Sequence, residues 1–180
     1  MKDVQKVTFG GMITALVTVM MLFEGFLSIG GAYLVPGIAG IIILFMTYAT
    51  GLKWGVYTYI SSSAVSFMLC MDKEAVLCFV LLLGYYPMLR YVFEKIKNPI
   101  LKIVVKLIFF NITAAVIFLT ATFLLAVPLE KIEIFGISFE SLFFFLANVT
   151  FVLYEDLLDV IEKKLRNIVT NRIQRVFRIS

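Results

Sequence analysis

The chain has 180 residues, of which 62% are hydrophobic and 16% charged, with a mean hydropathy of +1.02. This balance excludes a soluble globule, and six spans of about 20 residues each would leave no room for a separate soluble catalytic domain. Zero histidines exclude His-based triads and imidazole metal sites, while Cys70 and Cys78 show no metal-ligand spacing and read as packing residues or free thiols.

Lys2 and Lys6 precede the first apolar run, residues 7–28, which is too long for a signal-peptide core and has no A-x-A-like cleavage site. It is expected to stay as the first span. Gly11 and Ala15 form a small-xxx-small pair on it, with Thr14 and Thr18 at the same spacing one face over, so close helix contact is expected there. Glu24, near its outer end, has three readings: snorkelling to the headgroups, pairing with Lys73 or Lys131, or lining a vestibule. The second run, residues 35–50, is short and opens at Pro36, and its Gly37 and Gly40 admit a neighbouring backbone. The third, residues 55–71, carries Ser61, Ser62, Ser63 and Ser66, a small polar face suited to close packing, with no base to activate a serine.

The fourth run, residues 75–93, is interrupted by Pro87 just after Gly84, Tyr85 and Tyr86. The missing N–H and the ring predict a kink, which either aims the tyrosines or merely packs. The fifth, residues 101–127, places Asn111 about 15 Å from its inner start, and the sixth, residues 139–158, places Asn148 about 14 Å from its outer start. Tyr85, Tyr86 and Ser66 fall at similar depth, so four helices offer polar groups to one layer near the midplane. Such a layer is either a ligand pocket with apolar walls or interhelical bonding worth about 0.6 kcal/mol per contact. On the sixth run Ser141, Asn148, Glu155 and Glu162 recur every seventh residue and share a stripe facing the bundle. Glu155 and Asp156 have Lys102 and Lys106 as natural structural partners. Strands are disfavoured because residues 41–45 and 80–83 show no period-two alternation.

Charge placement tests the six-span layout. With the N-terminus inside, 14 of the 16 basic residues fall at the inner face, and only Lys73 and Lys131 lie outside. The basic pI therefore reflects topology and anionic lipid, not nucleic acid. Asp72, Glu74, Glu130, Glu133 and Glu140 bias the outer loops towards acid, which favours a cationic or zwitterionic ligand; ordinary solvated loop acids are the alternative. Past Leu158, Ile161, Leu165, Ile168, Val169, Ile173 and Val176 recur at helical spacing among lysines and arginines, as in a helix lying on the inner leaflet or docking a cytoplasmic partner. The expected fold is all-α: a polytopic cell-membrane protein with six transmembrane helices over residues 1–160, a basic amphipathic cytoplasmic helix over 161–180, and both termini cytoplasmic.

This layout, with the Gly11/Ala15 motif and a basic Gly51-Leu52-Lys53-Trp54-Gly55 turn before a Ser-rich third helix, resembles the substrate-binding S components of energy-coupling factor (ECF) vitamin transporters over residues 1–160. The resemblance implies that Gly11 and Ala15 meet a transmembrane scaffold subunit joined to an ATPase pair. It also implies a small-molecule pocket in the outer half near Tyr33, Asp72, Tyr86, Asn148 and Glu24, closed by the loop around Gly30 to Pro36. Glycine stands where the family's first motif alanine is usual, and zero histidines count against its metal-binding branch. The chain has no G-x-x-x-x-G-K-[ST] phosphate loop, so nucleotide work would belong to other subunits; no enzymatic activity and no cofactor are expected of it. The alternative is a non-transporting membrane scaffold or assembly protein of the cell envelope, as in the rod-shape type, whose basic tail would be the working surface. A third class, an intramembrane enzyme using Asp72 and Glu74 as paired acids, lacks the supporting constellation.

Overall fold

The computed structural model describes residues 2–27, 31–94, 96–124, 133–134 and 137–168. The elements run α1 (Asp3–Leu27), α2 (Gly31–Thr50), α3 (Leu52–Leu69), α4 (Lys73–Cys78), α5 (Tyr86–Phe93), α6 (Pro99–Leu124) and α7 (Phe139–Ile168), with a two-residue antiparallel ladder pairing Glu133–Ile134 with Ile137–Ser138. The architecture is all-helical apart from that ladder, as expected. Among the described residues, three helices are long and apolar enough to cross a membrane by length and composition: Asp3–Glu24, Tyr33–Thr50 and Pro99–Thr120. Pro36 falls inside α2 instead of opening it.

The chain divides into two compact units: Met1–Val92 with Asp159–Ser180, and Phe93–Leu158. In the first, α1 and α2 contribute the apolar core through Ile13, Val17, Met21, Ala39, Ile43 and Met46, closed by Val76 and Phe79 from the α4 side. The turn between α2 and α3 is made by Gly51 at φ +103°, a backbone angle that a side chain resists.

α3 is built inside out relative to a water-soluble helix. Its buried positions are Gly55, Thr58, Ser62 and Ser66. Its exposed positions include Tyr57, Ile60, Phe67 and Met68. In water that arrangement would waste the hydrophobic effect, whereas beside lipid tails the small face permits close helix approach and the apolar face costs nothing. The hydroxyls are tolerated because Thr58 donates to the Trp54 carbonyl at 2.9 Å and Ser62 donates to the Thr58 carbonyl.

The expected irregularity at Pro87 lies upstream of the proline. α4 leads into a π-turn over Phe79–Leu83, where the Gly84 N–H donates to the Phe79 carbonyl at 2.8 Å, and regular helix resumes at Tyr86. Pro87 has no N–H to offer the Leu83 carbonyl four residues back, and its ring crowds that oxygen. The vacated carbonyl turns against α2, where a Cβ on Gly40 would lie 2.0 Å from it. Only glycine fits at that position.

In the second unit, Phe110 stacks on Phe151 with ring centroids 4.2 Å apart, and Phe118 and Phe144 lie 6.1 Å apart, so aromatic contacts join α6 to α7. α7 continues as one helix beyond Leu158, the end expected for the sixth span. Residues 169–180 of the expected tail lie outside the described residues.

Gly40→Ala is expected to lower the thermal stability of the detergent-solubilised protein by about 2 kcal/mol, because the clash is with backbone that cannot swing away. Gly11→Ala, whose new Cβ meets nothing within 4 Å, is the control and is expected to be neutral. Equal melting temperatures for the two variants would refute the close-contact account.

Candidate functional site

The site begins with the spacing of α1. Ile13, Val17 and Met21 are buried at successive i+4 positions, and the next position on that face, Glu24, is a carboxylate only 2% exposed. Among the described residues neither of its buried oxygens has a hydrogen-bond partner. An acid at the end of an apolar core stripe is among the most expensive placements a helix can make, so its presence marks a function or a counter-charge.

α3 lies alongside. A Cβ on Gly10 would touch Thr58 Oγ1 at 3.1 Å, and the Asp72 carboxylate lies within electrostatic range of Glu24, so the same offset of 48 residues links both pairs. Among the described residues the buried Thr18 hydroxyl has no hydrogen-bond partner, while the buried Ser66 hydroxyl lies against the Cys70 thiol one turn on. Ser66 thus departs from the back-bonded pattern of Thr58 and Ser62 on its own helix.

Asp72 caps α4, its Oδ1 accepting from the Glu74 and Ala75 N–H groups at 3.0 Å each. Lys73, one expected partner of Glu24, is committed elsewhere: its ammonium donates to the Phe67 and Cys70 carbonyls at 2.9 and 2.8 Å, closing the C-terminal end of α3. Lys131, the other, lies outside the described residues. The Glu24 side chain itself is covered, at 2% exposure.

Of the other residues singled out by sequence, Tyr33 stands in the first turns of α2, 54% exposed, with its phenol within electrostatic range of Glu74 and Cys78. Tyr86 is fully buried at the start of α5. Glu24, Tyr33, Asp72 and Tyr86 belong to the first unit and Asn148 to the second. Asn148 and Asn111 form a reciprocal amide pair at 2.9 and 3.0 Å, and their remaining N–H groups donate to the Phe144 and Leu107 carbonyls at 2.8 Å each. All donors of that pair are engaged within the protein. Gly11 and Ala15 lie on the exposed side of α1. Among the described residues no group of three or more Cys, Asp or Glu converges as a metal site.

Two ionic networks were only partly legible. Arg90, 2% exposed, pairs with Asp159 and donates to Glu162 at 3.2 Å, and Tyr48 donates to the same Glu162. The stripe position of Glu162 was the available signal, but nothing in the sequence tied it to Arg90. In the second unit Lys106 binds Glu155 at 2.6 Å, as expected, and also Glu94 at 2.7 Å, while Lys102 binds Glu94 at 3.0 Å in place of Glu155 or Asp156. Glu94 had not been singled out. Burial alone would raise its carboxyl, but the hydrogen bonds and charges of Lys106 and Lys102 outweigh this and hold it at about 2, below the ordinary 4.5.

A depressed carboxyl stabilises the fold fully above its unfolded value and ceases to do so as the pH falls through the folded one. Glu94→Gln is therefore expected to lower the melting temperature by a margin that is constant above about pH 4.5 and closes towards pH 2, an effect of about 1 kcal/mol or less given partial exposure. A margin independent of pH would remove the Lys102/Lys106 account.

Compared with protein-family models, curated proteins and solved structures, the chain matches none.

Proposed function

We propose that this chain is the small-molecule-binding membrane subunit of an ATP-driven uptake transporter, of the ECF S-component type it resembles in layout. The observation that carries the reading is the covered Glu24 carboxyl, without a hydrogen-bond partner among the described residues, towards the end of α1 where the resemblance puts a solute pocket. A helix with only packing to do has no reason to hold a covered carboxyl at the end of its apolar stripe. On this reading the chain crosses the cell membrane six times with both termini cytoplasmic, the inside-out α3 being one span, and residues 161–180 lie along the inner leaflet. Solute enters from outside, and the motion that carries it across is supplied by an ATPase pair acting through a scaffold subunit. The exposed Gly11 and Ala15 give that scaffold a surface its helix can approach closely.

A second reading, a membrane scaffold or assembly protein of the cell envelope, is favoured by one observation. The Asn111–Asn148 pair engages its own donors and leaves that part of the expected polar layer as helix-to-helix bonding.

Co-purification from native membranes separates the two. Recovery of an ATPase pair is expected, and Gly11→Leu with Ala15→Leu is expected to lower that recovery about tenfold or more while leaving the isolated subunit's melting temperature unchanged, because the substitutions fill space that only a partner occupies. Recovery of cell-wall machinery through the basic tail, with no ATPase, would establish the second reading instead.

A further inference from the structure

The wide turn before Pro87 borrows a hydrogen bond from a neighbouring helix, and all the parts lie within the first unit. In a regular helix the Gly84 N–H would donate to the Val80 carbonyl four residues back. It donates instead to the Phe79 carbonyl, five back, at 2.8 Å. The Tyr59 hydroxyl, from α3, donates to the Val80 carbonyl at 2.6 Å, so a side chain stands where the helix's own donor would be. The Tyr59 ring packs around the same turn, its centroid 6.1 Å from that of Phe79 and 5.8 Å from that of Tyr85. Gly84 admits this crowding, since a Cβ there would lie 2.6 Å from the Phe79 carbonyl oxygen and 2.9 Å from the Tyr59 ring.

A phenol has one proton to give, and this one has two acceptors beside it. Besides the Val80 carbonyl, the Ser63 hydroxyl, one turn on along α3, lies against Tyr59. We infer that the wide turn is a movable element of the fold and that Tyr59 is its catch. With the phenol on Val80 the turn sits at Phe79–Leu83; with the phenol on Ser63 the Val80 carbonyl takes back the Gly84 N–H, and the turn moves one step towards α4. Such a step exchanges one backbone acceptor for the next and unwinds nothing, which suits turns of this kind to functional motion. It re-aims one residue of the turn by about 100° around the helix axis, while α5 stays in place through the Leu83 carbonyl seated on Gly40. The inference does not depend on the transport reading, since a scaffold protein has the same use for a hinge.

The test uses the full chain in lipid nanodiscs and a convenience of the sequence, in which Leu83-Gly84 is the only Leu-Gly step. Labelling the leucine carbonyl carbon and the glycine nitrogen with NMR-active stable isotopes therefore leaves a single carbonyl-edited amide signal, that of Gly84. Saturation transfer on this signal is expected to reveal a second state in the wild type, populated at about 5%. Tyr59→Phe keeps the ring and removes the donor, and is expected to raise that population about fivefold at closely the same chemical shift. Ser63→Ala removes the second acceptor and is expected to lower it about threefold. The double variant is expected to match Tyr59→Phe alone, because without the phenol hydroxyl Ser63 has nothing to receive. A phenol with only packing to do would shift the Gly84 signal in Tyr59→Phe without populating the wild type's second state. That result, a wild type with no second state, or a population that either single substitution leaves unchanged would each overturn the inference. The wild-type measurement decides by itself if a variant fails to fold.

Discussion

Buried polar groups must be satisfied from within the protein, and much of the architecture follows from how each helix meets that demand. α3 meets it locally, since Thr58 and Ser62 bond back onto the preceding turn and free the helix to bury a face of small residues. α6 and α7 meet it by pairing Asn111 with Asn148, and by placing Lys106 between Glu94 and Glu155. Arg90 meets it through Asp159 and Glu162. Against this background Glu24 stands out, because among the described residues neither of its oxygens has a hydrogen-bond partner.

The same constraint explains which parts of the structure could be read from the sequence. Helix existence was legible because apolar runs in a chain of this hydropathy have few alternatives, and the seven-residue spacing put Asn148, Glu155 and Glu162 on one stripe, where all three find side-chain partners, although only the Lys106 partner of Glu155 could be named from the sequence. Glu24 was legible as an unusual residue but not as a core residue, although Ile13, Val17 and Met21 lead to it by the same arithmetic. Its missing partner was not legible at all: Lys73 is close in sequence terms to every arrangement, and only its geometry shows that the end of α3 takes it. The displacement of the helix break from Pro87 to Phe79–Leu83 was equally hidden, because a proline disturbs the carbonyl four residues behind it and the neighbouring helix decides where the slack is absorbed.

Hydropathy alone understates α3. Its serines and threonines lower its average, and it is not among the three helices apolar enough to cross a membrane, yet those are side chains it hides, and what it shows includes tyrosine, isoleucine, phenylalanine and methionine. The sidedness of a helix carries information that its mean composition discards, and here the two measures point in opposite directions.

The meeting of Gly40 with the Leu83 carbonyl also fixes how far α2 can travel. Its flanking residues, Ala39 and Ile41, each carry a Cβ, so a slip of α2 by a single residue brings a methyl or a branched chain towards an oxygen that already touches bare Cα. The broken helix and α2 are thus keyed together like a pin in a notch, and any rearrangement of this bundle has to move them as one piece.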